Sequence, residues 1–257
     1  MMFAERTGFV RLLRWALAIL VGLLLLPYLL VLAYLVVRPV STPMLWRSLT
    51  LQRVERVWVP VEEMTPVLPL AVMVAEDGQF CQHHGIDFRS LRQAIDDADD
   101  FSDLRGASTI TQQTAKNLFL WPGRSVVRKV LELPLALWID LVMPKRRIME
   151  IYLNIAEWGP NGEFGAQAGA QSAFGKGVRN LNAREAALMA SLLPNPRQRS
   201  ARRPSPAVGR LTGIYMARAK GAAPLAACLQ LAPRPTARRP ARTSPAPTSG
   251  LYGRDPL

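Results

Sequence analysis

The chain is poor in the residues that build metal and thiol chemistry: 257 residues include two cysteines and two histidines. Cys81 and Cys228 are too few for a disulfide framework, and their spacing is no metal signature. They read as structural thiols, with pairing between them left open. His83, His84 and Asp87 lie close together, but no third histidine exists to close a zinc site. Aromatic residues make up 7% of the chain and do not interleave with basic ones. With no zinc-finger spacing either, the pattern argues against a nucleic-acid partner. Acidic residues nearly vanish after Pro196: Arg197 to Leu257 holds 12 Lys/Arg and one acid, Asp255. The chain's +13 charge is therefore mostly a property of its last segment. No internal repeat and no series of alternating strands occurs, which predicts a mainly α domain.

What is present begins with one long apolar run. Trp15 to Val37 contains no charged residue and at about 1.5 Å per residue spans roughly 35 Å, enough to cross a bilayer. It is long for a signal peptide, and no small-residue cleavage site follows. This predicts residues 1–14 as a cytoplasmic N-terminus and 15–37 as a transmembrane helix. Arginines flank both ends, so orientation rests on function rather than on charge. Residues 38–67 read as a proline-bearing linker with a possible short strand around Val57. Residues 68–196 read as one helical domain punctuated by glycines. Residues 197–257 read as a basic Pro/Arg-rich segment, disordered after about 232 for want of apolar surface.

The segment Gly106 to Leu118, GASTITQQTAKNL, has few apolar side chains for a core helix. Thr109 and Gln112 fit a capping box, so a helix starts there. A helix start offers free N–H groups and a positive dipole end to an anion. A capped surface helix explains the same residues, and the segment alone does not choose.

Three more clusters carry candidate chemistry. Glu76-Asp77 follows an apolar stretch whose burial would raise a carboxyl pKa toward a general base; a plain helix-terminal acid pair is the alternative. Arg128 and Glu132 share a helix face, and with Arg124, Lys129 and Lys116 could hold a diphosphate; an ordinary surface ion pair is the alternative. Lys145 to Asn154 has apolar residues Ile148, Ile151, Tyr152 and Ile155 at core-helix spacing, with Glu150 and Asn154 placed to brace neighbours. Pro134, inside the Glu132 helix, is expected to kink it.

Taken in order, these clusters resemble the peptidoglycan glycosyltransferases of family 51. The matching segments are ED-x-x-F-x-x-H-x-G (Glu76, Asp77, Phe80, His83, Gly85), G-x-STITQQ with K-N (Gly106, Ser108 to Gln113, Lys116, Asn117), R-K-x-x-E (Arg128, Lys129, Glu132) and K-x-x-I-x-E-x-Y-L-N (Lys145 to Asn154). The resemblance spans roughly Leu68 to Pro196. Ala107 stands where many relatives have glycine. NIAEWG and the short chain resemble the monofunctional members, and no S-x-x-K transpeptidase signature is present.

The resemblance implies a mainly α, lysozyme-like glycosyltransferase domain. It also implies a small, mobile, membrane-associated subdomain between Phe80 and Arg124, and one transmembrane helix ahead of the domain. It implies polymerisation of lipid II into β-1,4 glycan with inversion at the MurNAc anomeric carbon and release of undecaprenyl diphosphate. Glu76 would be the base, and Glu132 would support the leaving-group pocket or assist departure. Asp77, Phe80, His83, Ser108, Thr109, Thr111, Gln112, Gln113, Lys116, Asn117, Arg124, Arg128 and Lys129 would bind substrate, with Glu150, Tyr152 and Asn154 in support. No cofactor is obligatory and no protein-bound metal is implied; a divalent cation such as Mg2+ could sit at the diphosphate. Partners would be lipid II, the growing lipid-linked glycan, the bacterial inner membrane and other wall-synthesis or division proteins, with the domain on the periplasmic side. Moenomycin inhibits that family. Two rival readings are a lysozyme-like lytic transglycosylase and a non-catalytic membrane scaffold.

Overall fold

The computed structural model describes residues 2–96, 108–123 and 125–231, with side chains from residue 9 onward. The expectations for Gly106, Ala107, Arg124 and the stretch after 231 lie outside the described residues. Ten α-helices are described. The first, α1 (Met2–Ala33), contains Phe9–Ala33, a stretch long and apolar enough to cross a membrane. Its leucines are exposed on every side, as in a helix whose solvent is lipid rather than a core. It ends four residues earlier than Val37, in a turn over Tyr34–Val36. Pro27 sits inside it without ending it.

The end of α1 is docked onto the domain. Tyr28 meets the ring of Trp138, whose indole donates to the Tyr28 carbonyl, and Tyr34 stacks on Phe119. Arg147 donates to the carbonyls of Tyr34 and Val37. Thr42–Leu49 (α2) follows, capped by Ser41. The strand expected near Val57 forms one residue earlier: β1 (Glu55–Arg56) pairs in parallel with β2 (Glu163–Phe164).

Two helix groups make the domain. Val67–Glu76 (α3), Ala183–Leu192 (α9) and Pro206–Lys220 (α10) pack on one another. Ile110–Phe119 (α5) packs on Val126–Val142 (α6) and Lys145–Ile155 (α7). Ile148, Met149, Ile151, Tyr152, Leu153 and Ile155 are all buried, so α7 is the central helix and not merely amphipathic. The remaining helices, α4 (Phe88–Asp96) and α8 (Ala166–Phe174), lie toward the periphery and beside β2 respectively. The capping boxes expected at Thr109/Gln112 and Asn182/Glu185 both form. Pro134 does not end α6, which runs as one helix past it with the proline ring on the exposed side.

The folded part continues beyond Pro196. Helix α10 covers α9 and α3, and a 3-10 turn over Pro224–Leu229 packs on α7. Cys228 therefore lies in ordered structure and is bonded to Cys81, with 5.6 Å between their Cα atoms. The bond closes a loop of 147 residues and removes much unfolded-chain entropy. Cys228→Ser is expected to lower the unfolding free energy by about 2–5 kcal/mol. Denaturant titration checks this, and an unchanged midpoint contradicts it.

Candidate active site

Burial sorts the motif residues into those that build the site and those that face it. Glu76 ends α3, and Asp77 turns inward as the helix stops. The Asp77 carboxylate accepts from the Ile110 amide at 2.9 Å and from His83 Nε2 at 3.0 Å. It thereby pins the start of α5 beside the end of α3. Phe80 is fully buried, edge-on to His83 and beneath the Lys145 ammonium. Asp77, Phe80 and His83 thus occupy the interior of the loop after Glu76 rather than its surface. The Asp77 carboxylate is spent on the fold, whereas His83 Nδ1 is buried without a hydrogen-bond partner among the described residues. Gly85 shows why the motif ends in glycine. Its φ is +79°, and a Cβ there would lie 2.5 Å from the Ala136 carbonyl oxygen.

Part of the hydroxyl-rich segment is likewise bonded within the fold. Thr109 caps α5 and donates its hydroxyl to the Gly85 carbonyl, while Gln112 closes the capping box. Thr111 is buried against Asp140. These three side chains set where α5 starts. A polar composition that resembled a binding surface is largely buried helix-capping chemistry.

Four residues of that segment remain: Ser108, Gln113, Lys116 and Asn117. Ser108 accepts from the Lys129 ammonium at 2.9 Å. Gln113 donates to a Glu76 oxygen at 2.9 Å and accepts from the Tyr152 hydroxyl at 3.0 Å. Tyr152 is buried in α7, and burial holds its phenol well above the ordinary range, so it stays a donor. The chain Tyr152 to Gln113 to Glu76 fixes one carboxylate oxygen. Burial raises the Glu76 pKa; the Gln113 bond and the charges of Lys116 and Arg199 oppose that shift in part. A carboxylate with raised proton affinity in a partly dry setting is suited to removing a proton.

Lys116 lies one turn beyond Gln113 on the same face of α5. It makes no hydrogen bond or ion pair with the described residues, and burial pushes its pKa down, opposed by Glu132. With Asn117, Trp121, Gly123 and Arg128 it lines a cavity of about 430 Å3. Glu132, 2% exposed, accepts from Arg128 at 2.7 Å and faces Lys129 at 3.4 Å. Arg128 also donates to the Gly123 carbonyl. Glu132 is thus the hub that holds two cations in place, with Lys116 close enough to feel its charge. Glu150 accepts from the Val61 amide and pairs with Arg147. Asn154 bonds both polar groups of the Val59 backbone, so the two residues brace the entry segment.

Two residues joined to this network were not singled out from sequence. Asp140, on α6, holds Lys145 and faces His84 and Thr111, tying α5 to α7. Its one signal is that it is a lone carboxylate in an otherwise apolar stretch. Arg199, beyond the expected domain end, sets its charge near Glu76. Among the described residues no group of three or more His, Cys, Asp or Glu could hold a metal.

Known proteins resemble this chain over most of its length. The transglycosylase family profile matches residues 44–217. A biosynthetic peptidoglycan transglycosylase of Nitrobacter hamburgensis is 61% identical over 202 residues, covering 79% of this chain and 89% of that protein. Proteins of the same name from Rhodopseudomonas palustris and Brucella suis are 58% and 51% identical, over 82% and 84% of this chain and 90% and 96% of theirs. Glu76 at the end of α3, Lys116 on α5, the Arg128–Glu132 pair on α6 and most of α10 all stand within the matched region. The chain belongs to the transglycosylase family.

Proposed function

We propose that this peptidoglycan glycosyltransferase joins lipid II units at a site split between Glu76 and the Lys116 cavity. Glu76 takes the proton of the acceptor GlcNAc 4-hydroxyl. That oxygen attacks C1 of the donor MurNAc, and the bond from C1 to the diphosphate oxygen breaks with its electron pair leaving on undecaprenyl diphosphate. Lys116 and Arg128 meet the charge that grows on the leaving group; Lys129 and Glu132 hold them in register. Attack from one side and departure from the other invert an α-linked donor to a β-1,4 bond.

The observation that carries this reading is Lys116: a half-buried cation without a carboxylate partner, in a cavity with Arg128. A lytic enzyme, whose leaving group is a sugar hydroxyl, has no use for such a cavity. Incubation with labelled lipid II and with preformed glycan separates the two. Polymer from lipid II, blocked by moenomycin, is the expected product. Cleavage of preformed glycan without polymer formation would favour the lytic reading, and no turnover of either would favour a scaffold.

The anchor follows from the substrate, whose lipid tail stays in the bilayer. One face of α6 supports the same placement: Val127, Val130, Leu137 and Leu141 are exposed at helical spacing, with Trp121 nearby in sequence. We place the domain on the periplasmic side of the inner membrane, a compartment that also suits the Cys81–Cys228 bond. Proteolysis near Phe119–Pro122 is expected to slow when the protein is inserted in liposomes. Equal cleavage with and without lipid contradicts that placement.

A further inference from the structure

A second concavity, of about 500 Å3, opens between β2, α8 and the segment after α9. It takes no wall from α2, α5 or α6, whose residues line the Lys116 cavity. Its arginines are not equivalent. Arg197 is paired with Glu157 and Arg53 with Glu55. Arg199 donates to the Ser191 carbonyl at 2.6 Å, and Arg202 to the Ser172 carbonyl at 2.8 Å. Those carbonyls lie in the last turns of α9 and α8, where intrahelical donors run out. Neither guanidinium has a carboxylate partner among the described residues.

A neutral carbonyl fixes an arginine without cancelling its charge. Each fork keeps further N–H groups for an anion. Glu163, the second carboxylate in the wall beside Glu55, is occupied by Asn161 and Ser172. Such a mixed wall disfavours a compact polyanion such as phosphate. Two separately fixed guanidiniums suit a ligand whose carboxylates are spaced along a chain. Arg199 further links this groove to the base side of the site, because its charge reaches Glu76.

We infer that the groove holds the free carboxylates of the peptide carried by the acceptor disaccharide, with Arg199 and Arg202 as the recognising residues. This rests on the glycosyltransferase reading, since the peptide is part of that substrate. The groove grips the acceptor by its peptide while the sugar hydroxyl reaches Glu76.

The test titrates the full-length protein in detergent with the free pentapeptide L-Ala-γ-D-Glu-diaminopimelate-D-Ala-D-Ala and with its fully amidated form. The free peptide is expected to bind about tenfold more tightly, the effect of one charge-assisted hydrogen bond. Arg202→Gln should remove that preference at unchanged melting temperature, and Arg202→Lys should restore part of it. Equal affinity for the two peptides overturns the inference. So does Arg202-dependent binding to phosphatidylglycerol vesicles with no preference among peptides, which would make the groove a lipid contact. In chain growth, Arg202→Gln should raise KM for lipid II about tenfold at constant kcat. It should leave KM unchanged for a lipid-linked disaccharide lacking the peptide; an equal rise with that substrate overturns the inference. The titration needs no turnover, so failure of polymerisation and failure of peptide binding are read separately.

Discussion

Glu76→Gln is expected to lower chain growth from lipid II by about 10²–10⁴-fold, the usual contribution of a positioned general base. The substitution keeps shape and a hydrogen-bonding oxygen for Gln113, so the site around it is retained. Loss of activity with a native melting curve is the expected pair of results. The direction of the stability change is informative too. Burial raises the Glu76 pKa in the folded state, so the ionised carboxylate costs stability at neutral pH. That cost shrinks as pH falls below the folded-state value and is gone only below the unfolded-state value. Glu76→Gln should therefore melt at or above the wild-type temperature at pH 7, with the difference closing in acid. In wild type the acid limb of kcat/KM should lie above the ordinary glutamate value of 4.5. An acid limb below 4.5, or near-normal chain growth in the variant, contradicts the assignment.

Lys116→Met is expected to lower kcat/KM by about 10²–10³-fold, the effect of removing one preorganised group that meets developing charge. Methionine keeps much of the stem that packs in the α5 surface. The lost element is the ammonium, which has no partner to leave stranded. The fold should not suffer, because burial already depresses the Lys116 pKa and makes its charge a cost to the folded state. A substrate diphosphate reverses that cost, so the benefit of the charge appears only in the complex. The same substitution at Glu132 would behave differently. Its removal leaves Arg128 and Lys129 unpaired beside each other, and a loss of stability accompanies the loss of activity. Steady-state kinetics with a parallel thermal melt distinguishes the two positions. Lys116→Met with unchanged kcat/KM would move the leaving-group site elsewhere.

Most of this site was legible in the chain, but not evenly. Glu76, Arg128 and Glu132 could be named because charged residues in apolar helical stretches are expensive, and Lys116 because it is the one cation in a run of hydroxyls and carboxamides. The core role of Ile148, Ile151, Tyr152 and Ile155 followed from helical spacing, and both capping boxes followed from local chemistry. What the sequence left open has one cause: a polar side chain in sequence does not reveal whether its partner is substrate or the protein itself. Thr109 and Gln112 cap α5, Thr109 also donates to the Gly85 carbonyl, Thr111 donates to Asp140 on α6, and Asp77 accepts from His83 and the Ile110 amide. Only the tertiary fold decides which. The boundary after Pro196 was hidden for a related reason. Arginine-rich, proline-spaced composition resembles a solvated tail, yet Val208 and Thr212 are buried in α10 and Cys228 is bonded across 147 residues. The groove arginines lie between those anchors and could not be placed before them.

The central claim is that the base and the diphosphate cations act from opposite sides of the reacting carbon. The anomeric configuration of the bond made from α-linked lipid II, read by NMR on the purified polymer, tests this most directly. The account predicts β-linked product throughout. An α linkage at the newly formed bonds would require retention, and would contradict a mechanism in which Glu76 activates the acceptor for direct displacement.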